Sequence, residues 1–158
     1  MDPQAKKIAL RKIPHGIFIV GVAYNGAVSA FTGTWLTQAS FAPPLVVMGV
    51  KKDTLSYRLI EQGRVFSVNV LGKDQKPIAE HFVKPTATAG PKLTGYAHRA
   101  GKTGAPILEE AIAHFECEVR EIAAGGDHAV VIGEVVDAGV RQDVDALTLK
   151  DTGWNYGG

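Results

Sequence analysis

AFTGTWLTQASFAPPLVVMGVKKDTLSYRLIEQ, residues 30–62, decides how the rest of the chain is read. Through Thr37 it carries apolar and hydroxyl side chains with the β-branched and aromatic content of a strand. Ala42-Pro43-Pro44 then removes two amide donors and blocks continued pairing. LVVMGV, residues 45–50, is the next strand, and LSYRLIEQ, residues 55–62, has a helical apolar period. Asp53 is placed to cap that helix, and Gly63 follows it where a left-handed residue usually closes a helix. Between strand and helix lies KKDTLS. Two ammonium groups, orphan backbone N–H groups and the hydroxyls of Thr54 and Ser56 meet there at the positive end of a helix dipole, a supply suited to a phosphomonoester. The plainer alternative is that Asp53 only caps the helix while Lys51 and Lys52 point into water.

Working outward, GIFIVGVA at residues 16–23 is an apolar strand, Asn25-Gly26 supplies the positive φ angles of a tight hairpin, and AVSAFTGTWLT at residues 27–37 returns as one strand. Downstream, VFSVNVL at residues 65–71 is a further strand, and Asp74 is placed to cap a second short helix, QKPIAEHF, at residues 75–82. Residues 84–106 mix Gly, Pro, Thr and basic side chains without a period and read as a loop: a lid, a dimer arm or a surface excursion. Ala113, Phe115, Cys117 and Val119 then alternate with His114, Glu116, Glu118 and Arg120, a strand with one buried face. AAGGD turns the chain, and HAVVIGEVVDAGV at residues 128–140 returns, with Gly133 and Gly139 marking bends or bulges. The sum is one domain over residues 1–158, mainly β with short helices. At least six strands, mostly antiparallel neighbours, form a closed or nearly closed barrel.

Composition excludes several classes of function. Seventeen Lys and Arg against sixteen Asp and Glu leave a net charge of +1, so no global field recruits nucleic acid or an anionic membrane. The stretch from Ile13 to Val50 lacks Asp, Glu, Lys and Arg, but Asn25-Gly26 and Pro43-Pro44 interrupt it before a membrane span can form. A lone cysteine, Cys117, rules out an internal disulfide framework and suits a reducing cytosol. Lysines and Arg11 stand where a signal peptide needs an apolar centre, so a cytoplasmic location is expected. There is no G-x-S-x-G elbow, P-loop or H-E-x-x-H helix. His81, His98, His114 and His128 match no metal-ligand spacing, and no metal is expected.

Thr32, Thr34, Thr37, Gln38 and Ser40 lie along an otherwise apolar segment that holds Phe31 and Trp35, a mixture suited to a flat heteroaromatic ligand with one polar edge. Taken with ALRKIPHGIFIV, the N-V-L strand, HFECEV, GDHAVVIGEVV and WNYGG, the run quoted above closely resembles the flavin reductase-like family of FMN-binding split barrels, and within it the flavoredoxin-like members. The resemblance covers almost the whole chain. It implies an antiparallel, Greek-key-like split barrel that works as a homodimer, with FMN near the subunit boundary and NADH or NADPH as co-substrate.

The resemblance places the isoalloxazine edge along Thr32, Thr34, Trp35, Leu36, Thr37 and Gln38, and the phosphate at Lys51, Lys52, Thr54 and Ser56. It also puts His128 on the nicotinamide side, with Lys92 and Tyr96 as weaker contacts. The implied activity is NAD(P)H:flavin oxidoreduction, hydride passing to flavin and electrons onward to an acceptor. The rival readings are an FMN electron carrier reduced by a partner redox protein, and a β-barrel binding module without redox chemistry.

Overall fold

In the computed structural model, residues 1–88, 92–93 and 95–158 are described, the side chains of residues 87, 88 and 92 excepted. The chain opens with α1 (Pro3–Leu10), whose first turn is capped by the Asp2 carboxylate accepting from Gln4 N at 2.9 Å; this helix was not expected from the sequence. Then come β1 (Phe18–Tyr24), β2 (Ala27–Gly33), β3 (Leu36–Ser40), β4 (Leu45–Lys51), α2 (Leu55–Gly63), β5 (Val65–Val70) and α3 (Lys76–His81). The expected loop holds four short strands, β6 (Thr86–Thr88), β7 (Lys92–Leu93), β8 (Tyr96–Ala100) and β9 (Pro106–Leu108). The long pair β10 (Ala113–Ala123) and β11 (His128–Val140) follows, and α4 (Leu149–Thr152) comes last. As expected, Asn25 and Gly26 both take positive φ, at 48° and 79°, and β1 and β2 pair across them.

Eight strands form one sheet in the order β3-β4-β11-β10-β5-β1-β2-β6, while β7, β8 and β9 form a second. The pairings are antiparallel, with a Greek-key-like order in which β4 meets β11 and β5 meets β10. β2 and β3 lie near opposite ends of this order, yet only Thr34 and Trp35 separate them along the chain. The sheet must therefore roll until its ends nearly meet. Among the described residues no ladder joins those ends, so the barrel is not closed but split, as the resemblance implied. The single strand expected over residues 27–37 breaks at the same two residues, because they carry the chain across the gap.

The roll encloses one apolar core. Val20, Val22, Met48, Val50, Phe66, Val68, Cys117, Ala129 and Val131 meet inside it, and Tyr57, Leu59 and Ile60 of α2 plug one side. Ile17, Ile19, Leu71, Ile78, Phe82 and Leu147 form a second cluster on the outer face. β1 is thus covered on both faces, which explains the unbroken apolar run at its start. Burial pushes the Cys117 thiol up to about 12, in line with its alternation onto the core face.

Two buried polar residues tie the 101–108 region to the sheet. Asn69 Nδ2 donates to Ile19 O at 3.0 Å, and its Oδ1 accepts from Leu108 N at 2.8 Å. The fully buried Glu116 carboxylate accepts from Lys102 N, Thr103 N and Thr103 Oγ1 at 2.9, 2.7 and 2.6 Å.

Both expected helix caps shift by one residue. Thr54 caps α2, its Oγ1 accepting from Tyr57 N at 3.1 Å, while the Asp53 carboxylate turns to Lys51 Nζ at 3.2 Å. Gln75, without a side-chain capping bond, precedes α3 in place of Asp74. Gly63 closes no turn: it lies inside α2, and a Cβ there would collide with the carbonyl of Ala23 on β1. The left-handed cap is Arg64, at φ 56°, held by its guanidinium donating to Val119 O and Arg120 O.

Candidate functional site

The split leaves a cavity of about 750 Å³ where the β2–β3 joint faces the β4–α2 corner. Its floor is the joint: Phe31, Thr32, Gly33, Thr34 and Trp35 all line it. The joint is fixed from two sides. Thr32 N donates to Phe82 O at 2.8 Å and Thr32 Oγ1 to Ala79 O at 2.7 Å, so this threonine is committed to α3. Gly49 N donates to Trp35 O at 2.9 Å, and the Trp35 ring lies against Gly49, where a Cβ would press on Cε3 at 3.0 Å. Thr34 is different. Its Oγ1 is buried with no hydrogen-bond partner among the described residues, and a buried hydroxyl left so is costly unless a ligand satisfies it.

At one end the cavity reaches Lys51 and Thr54. Of the first-turn amides of α2, that of Tyr57 is taken by the Thr54 cap, while those of Leu55 and Ser56 precede the first intrahelical bonds. Thr54 Oγ1 is already engaged, donating to Lys51 O at 2.8 Å while capping the helix. Lys51 is half exposed and bound only through its ion pair with Asp53, a link of small net value that an incoming dianion can outcompete. Lys52 points elsewhere: its Nζ donates to Ala124 O at 3.1 Å in the β10–β11 turn. Ser56 Oγ is buried and unpartnered, behind the lining rather than in it.

Beside that corner a wall of three aromatic side chains bounds the cavity. The Trp35 ring centroid lies 4.7 Å from that of His128 and 5.2 Å from that of Tyr156. β4–β11 pairing sets His128 opposite Lys51, which carries the imidazole to the cavity mouth. His128 Nδ1 is 3.0 Å from Asp127 Oδ1, and Nε2 is 3.0 Å from the Tyr156 hydroxyl. A carboxylate only accepts, so Nδ1 carries the proton and, in the neutral ring, Nε2 accepts from Tyr156 O–H. The same bond holds the Asp127 carboxyl below its ordinary range.

Of the residues expected at the site, Thr32, Thr34, Trp35, Lys51, Thr54 and His128 come together around this one space. Leu36, Thr37 and Gln38 continue along edge strand β3 outside the lining, as do Lys52 and Ser56 elsewhere. Tyr96 packs on Phe82 and His81, and the Lys92 side chain lies outside the described residues. Glu80, Pro85, Trp154, Asn155 and Tyr156 are also part of the lining and were not singled out from the sequence. The two aromatics of WNYGG were the available signal. Among the described residues, no group of three or more His, Cys, Asp or Glu could hold a metal ion, and no helix is long and apolar enough to cross a membrane.

A rolled, split antiparallel sheet with a ring-sized cavity at its joint is a split barrel. The chain belongs to the flavin reductase like domain family, whose model matches residues 10–157. A flavin reductase from Pseudomonas putida is 30% identical, with all of this chain and 91% of that protein covered. The NADH:FAD oxidoreductase of Streptomyces globisporus C-1027, solved in complex with NAD and FAD fragments, superposes with a TM-score of 0.79 at 27% identity, covering 96% of this chain and 92% of that one. Diflavin flavoprotein A 1 of Synechocystis sp. is 30% identical over 90% of this chain but only 25% of its own length. The chain spans less than half the length of several curated relatives it matches.

Proposed function

We propose that this chain binds FMN in the joint cavity and acts as an NAD(P)H:flavin oxidoreductase, passing the electrons to an acceptor. The observation that carries the reading is the buried, unpartnered Thr34 hydroxyl in the floor of a cavity that ends at Lys51 and the start of α2. Thr34 would donate to the polar edge of the ring system, Trp35 would bound it, and Lys51 with the Leu55 and Ser56 amides of α2 would hold a terminal phosphate. That last feature favours FMN over FAD as the resident group. When bound, the flavin supplies the chemistry of accepting a hydride from a reduced nicotinamide, whose C4–H bond breaks.

The chain needs no nucleophile for this. Its work is to hold the ring against a fixed floor, exclude water from the contact, and present donors where negative charge accumulates on reduction. His128, oriented by Asp127, faces the side from which the nicotinamide would come.

Leu36, Thr37 and Gln38 enter the proposal through their backbone, since β3 is an outer edge of the sheet with unpaired groups on one side. Phe41, beside that edge, is 90% exposed. A second copy of the chain covering this edge would bury Phe41 and complete the flavin site, making the working unit a homodimer. Sedimentation should then give a dimer that Phe41→Asp converts to monomer.

Anaerobic mixing of FMN-loaded protein with NADH, and separately with NADPH, tests the activity. Loss of the visible flavin absorbance with either nucleotide is the expected result. Retention with both would contradict it and favour the carrier reduced by a redox protein, while failure to take up FMN would favour a binding module.

A further inference from the structure

The aromatic wall has two sides. Behind Trp35, His128 and Tyr156 lies a second cavity of about 580 Å³, to which Leu10, Ile13 and His15 contribute. The three members of the wall are not equally held. Trp35 is clamped by Gly49 N and seated against Gly49, and His128 is carried by the β4–β11 ladder. Tyr156 is 44% exposed and lies in residues 154–158, which adopt no regular structure. Among the described residues, Trp154 N donating to Thr152 Oγ1 at 3.1 Å, Arg11 Nε donating to the Gly157 carbonyl at 3.0 Å and the tyrosine's own hydroxyl on His128 Nε2 are the hydrogen bonds that retain this segment. Tyr156, which lines both cavities, is therefore the part that can move at least cost.

The chemistry of the bond it would break is specific. With Nδ1–H committed to Asp127, the neutral His128 ring offers Nε2 as an acceptor, so whatever replaces the tyrosine must bring a hydrogen-bond donor. Resting on the redox reading above, we propose that Tyr156 is a gating residue that competes with the hydride donor. Its hydroxyl caps His128 Nε2 in the resting protein, and an N–H of a primary carboxamide takes that position when the nicotinamide enters, the tyrosine ring swinging out of the wall. Tyr156 is thus a specificity-determining residue, selecting a carboxamide-bearing ring over one that only accepts.

The test is Tyr156→Phe, which keeps the ring and removes the competing hydroxyl, studied in FMN-loaded protein with NAD⁺ as the probe because NAD⁺ has no hydride to give. NAD⁺ should bind about 2- to 10-fold more tightly to the variant, the net worth of one neutral hydrogen bond. In the nucleotide-free variant, the side-chain ¹⁵N resonance of His128 Nε2 should move while Nδ1 keeps its proton. Equal or weaker NAD⁺ binding, or an unmoved Nε2 resonance, would overturn the gate. If FMN is taken up and NAD⁺ binds both forms equally, the gate alone is wrong; if wild-type protein takes up no FMN, the redox reading fails and the gate fails with it.

Discussion

Two adjoining parts of the cavity lining are built on different principles. The anion corner is assembled from neighbours in sequence: Lys51, the cap Thr54 and the first turn of α2 all fall within one strand-to-helix passage. The aromatic wall is assembled from Trp35, His128 and Tyr156, residues far apart in the chain that only the rolled sheet brings together. The corner should govern how tightly the flavin is held, and the wall should govern what reaches it. Substitutions in the two parts ought to separate along that line.

The largest effect on affinity belongs to the corner. Lys51→Ala should weaken FMN about 10-fold, in keeping with a partly exposed charge-assisted hydrogen bond, and leave riboflavin unchanged. Lys52→Ala should change either ligand less than about 3-fold, since that side chain is turned to Ala124 O. Parallel titrations by flavin fluorescence would show the split; equal effects of the two lysines would break the distinction drawn between them.

Thr34→Val comes next, and it should act with opposite signs on the two states. Flavin affinity should fall about 5-fold through loss of one donor. The ligand-free protein should be unchanged or more stable by up to about 1 kcal/mol, because an orphaned buried hydroxyl is gone. Thermal unfolding with and without FMN measures both.

At the wall, His128→Ala should slow reduction by NADH about 10-fold through lost positioning, yet move FMN affinity less than about 3-fold. Stopped-flow reduction beside a binding titration would decide it; loss of flavin would make the histidine structural.

The smallest effect on the cavity comes from outside it. Burial pushes the Glu116 carboxyl up, but the hydrogen bonds from Thr103 Oγ1, Thr103 N and Lys102 N outweigh this and hold it below its ordinary value. A depressed carboxyl contributes stability that is present above its unfolded pKa, near ~4.3, and lost as pH falls through the lower folded value. Glu116→Gln should therefore cost about 1–3 kcal/mol at neutral pH, with the wild-type and variant stability curves converging below about pH 4, and should leave flavin affinity unchanged.

What was legible in the sequence follows the same division. The strands, the Asn25-Gly26 hairpin and the corner were readable because each depends on residues close in the chain, where periodicity and turn chemistry act. The cap assignments slipped by one because Asp53 and Thr54 can each cap a helix, and only the competition for Lys51 decides between them. Gly63 was misplaced as the closing residue: it lies inside α2 and Arg64 takes the left-handed turn, and the close approach of Ala23 that calls for a glycine cannot be seen without the packing. The four short strands at residues 86–108 were missed because no period marks them, and Asn69 and Glu116, which tie residues 102–108 to the sheet, are distant in sequence. Tyr156 was missed for the same reason: its partners, Trp35 and His128, are supplied by the roll of the sheet.

Side-by-side titration of the purified protein with FMN and riboflavin bears most directly on the central claim, that the gap between β2 and β4 is a flavin site with its phosphate at the start of α2. Uptake of one flavin per chain, with FMN bound about 10-fold or more tightly than riboflavin, is the expected result. Equal affinities, or no uptake of either, would contradict it.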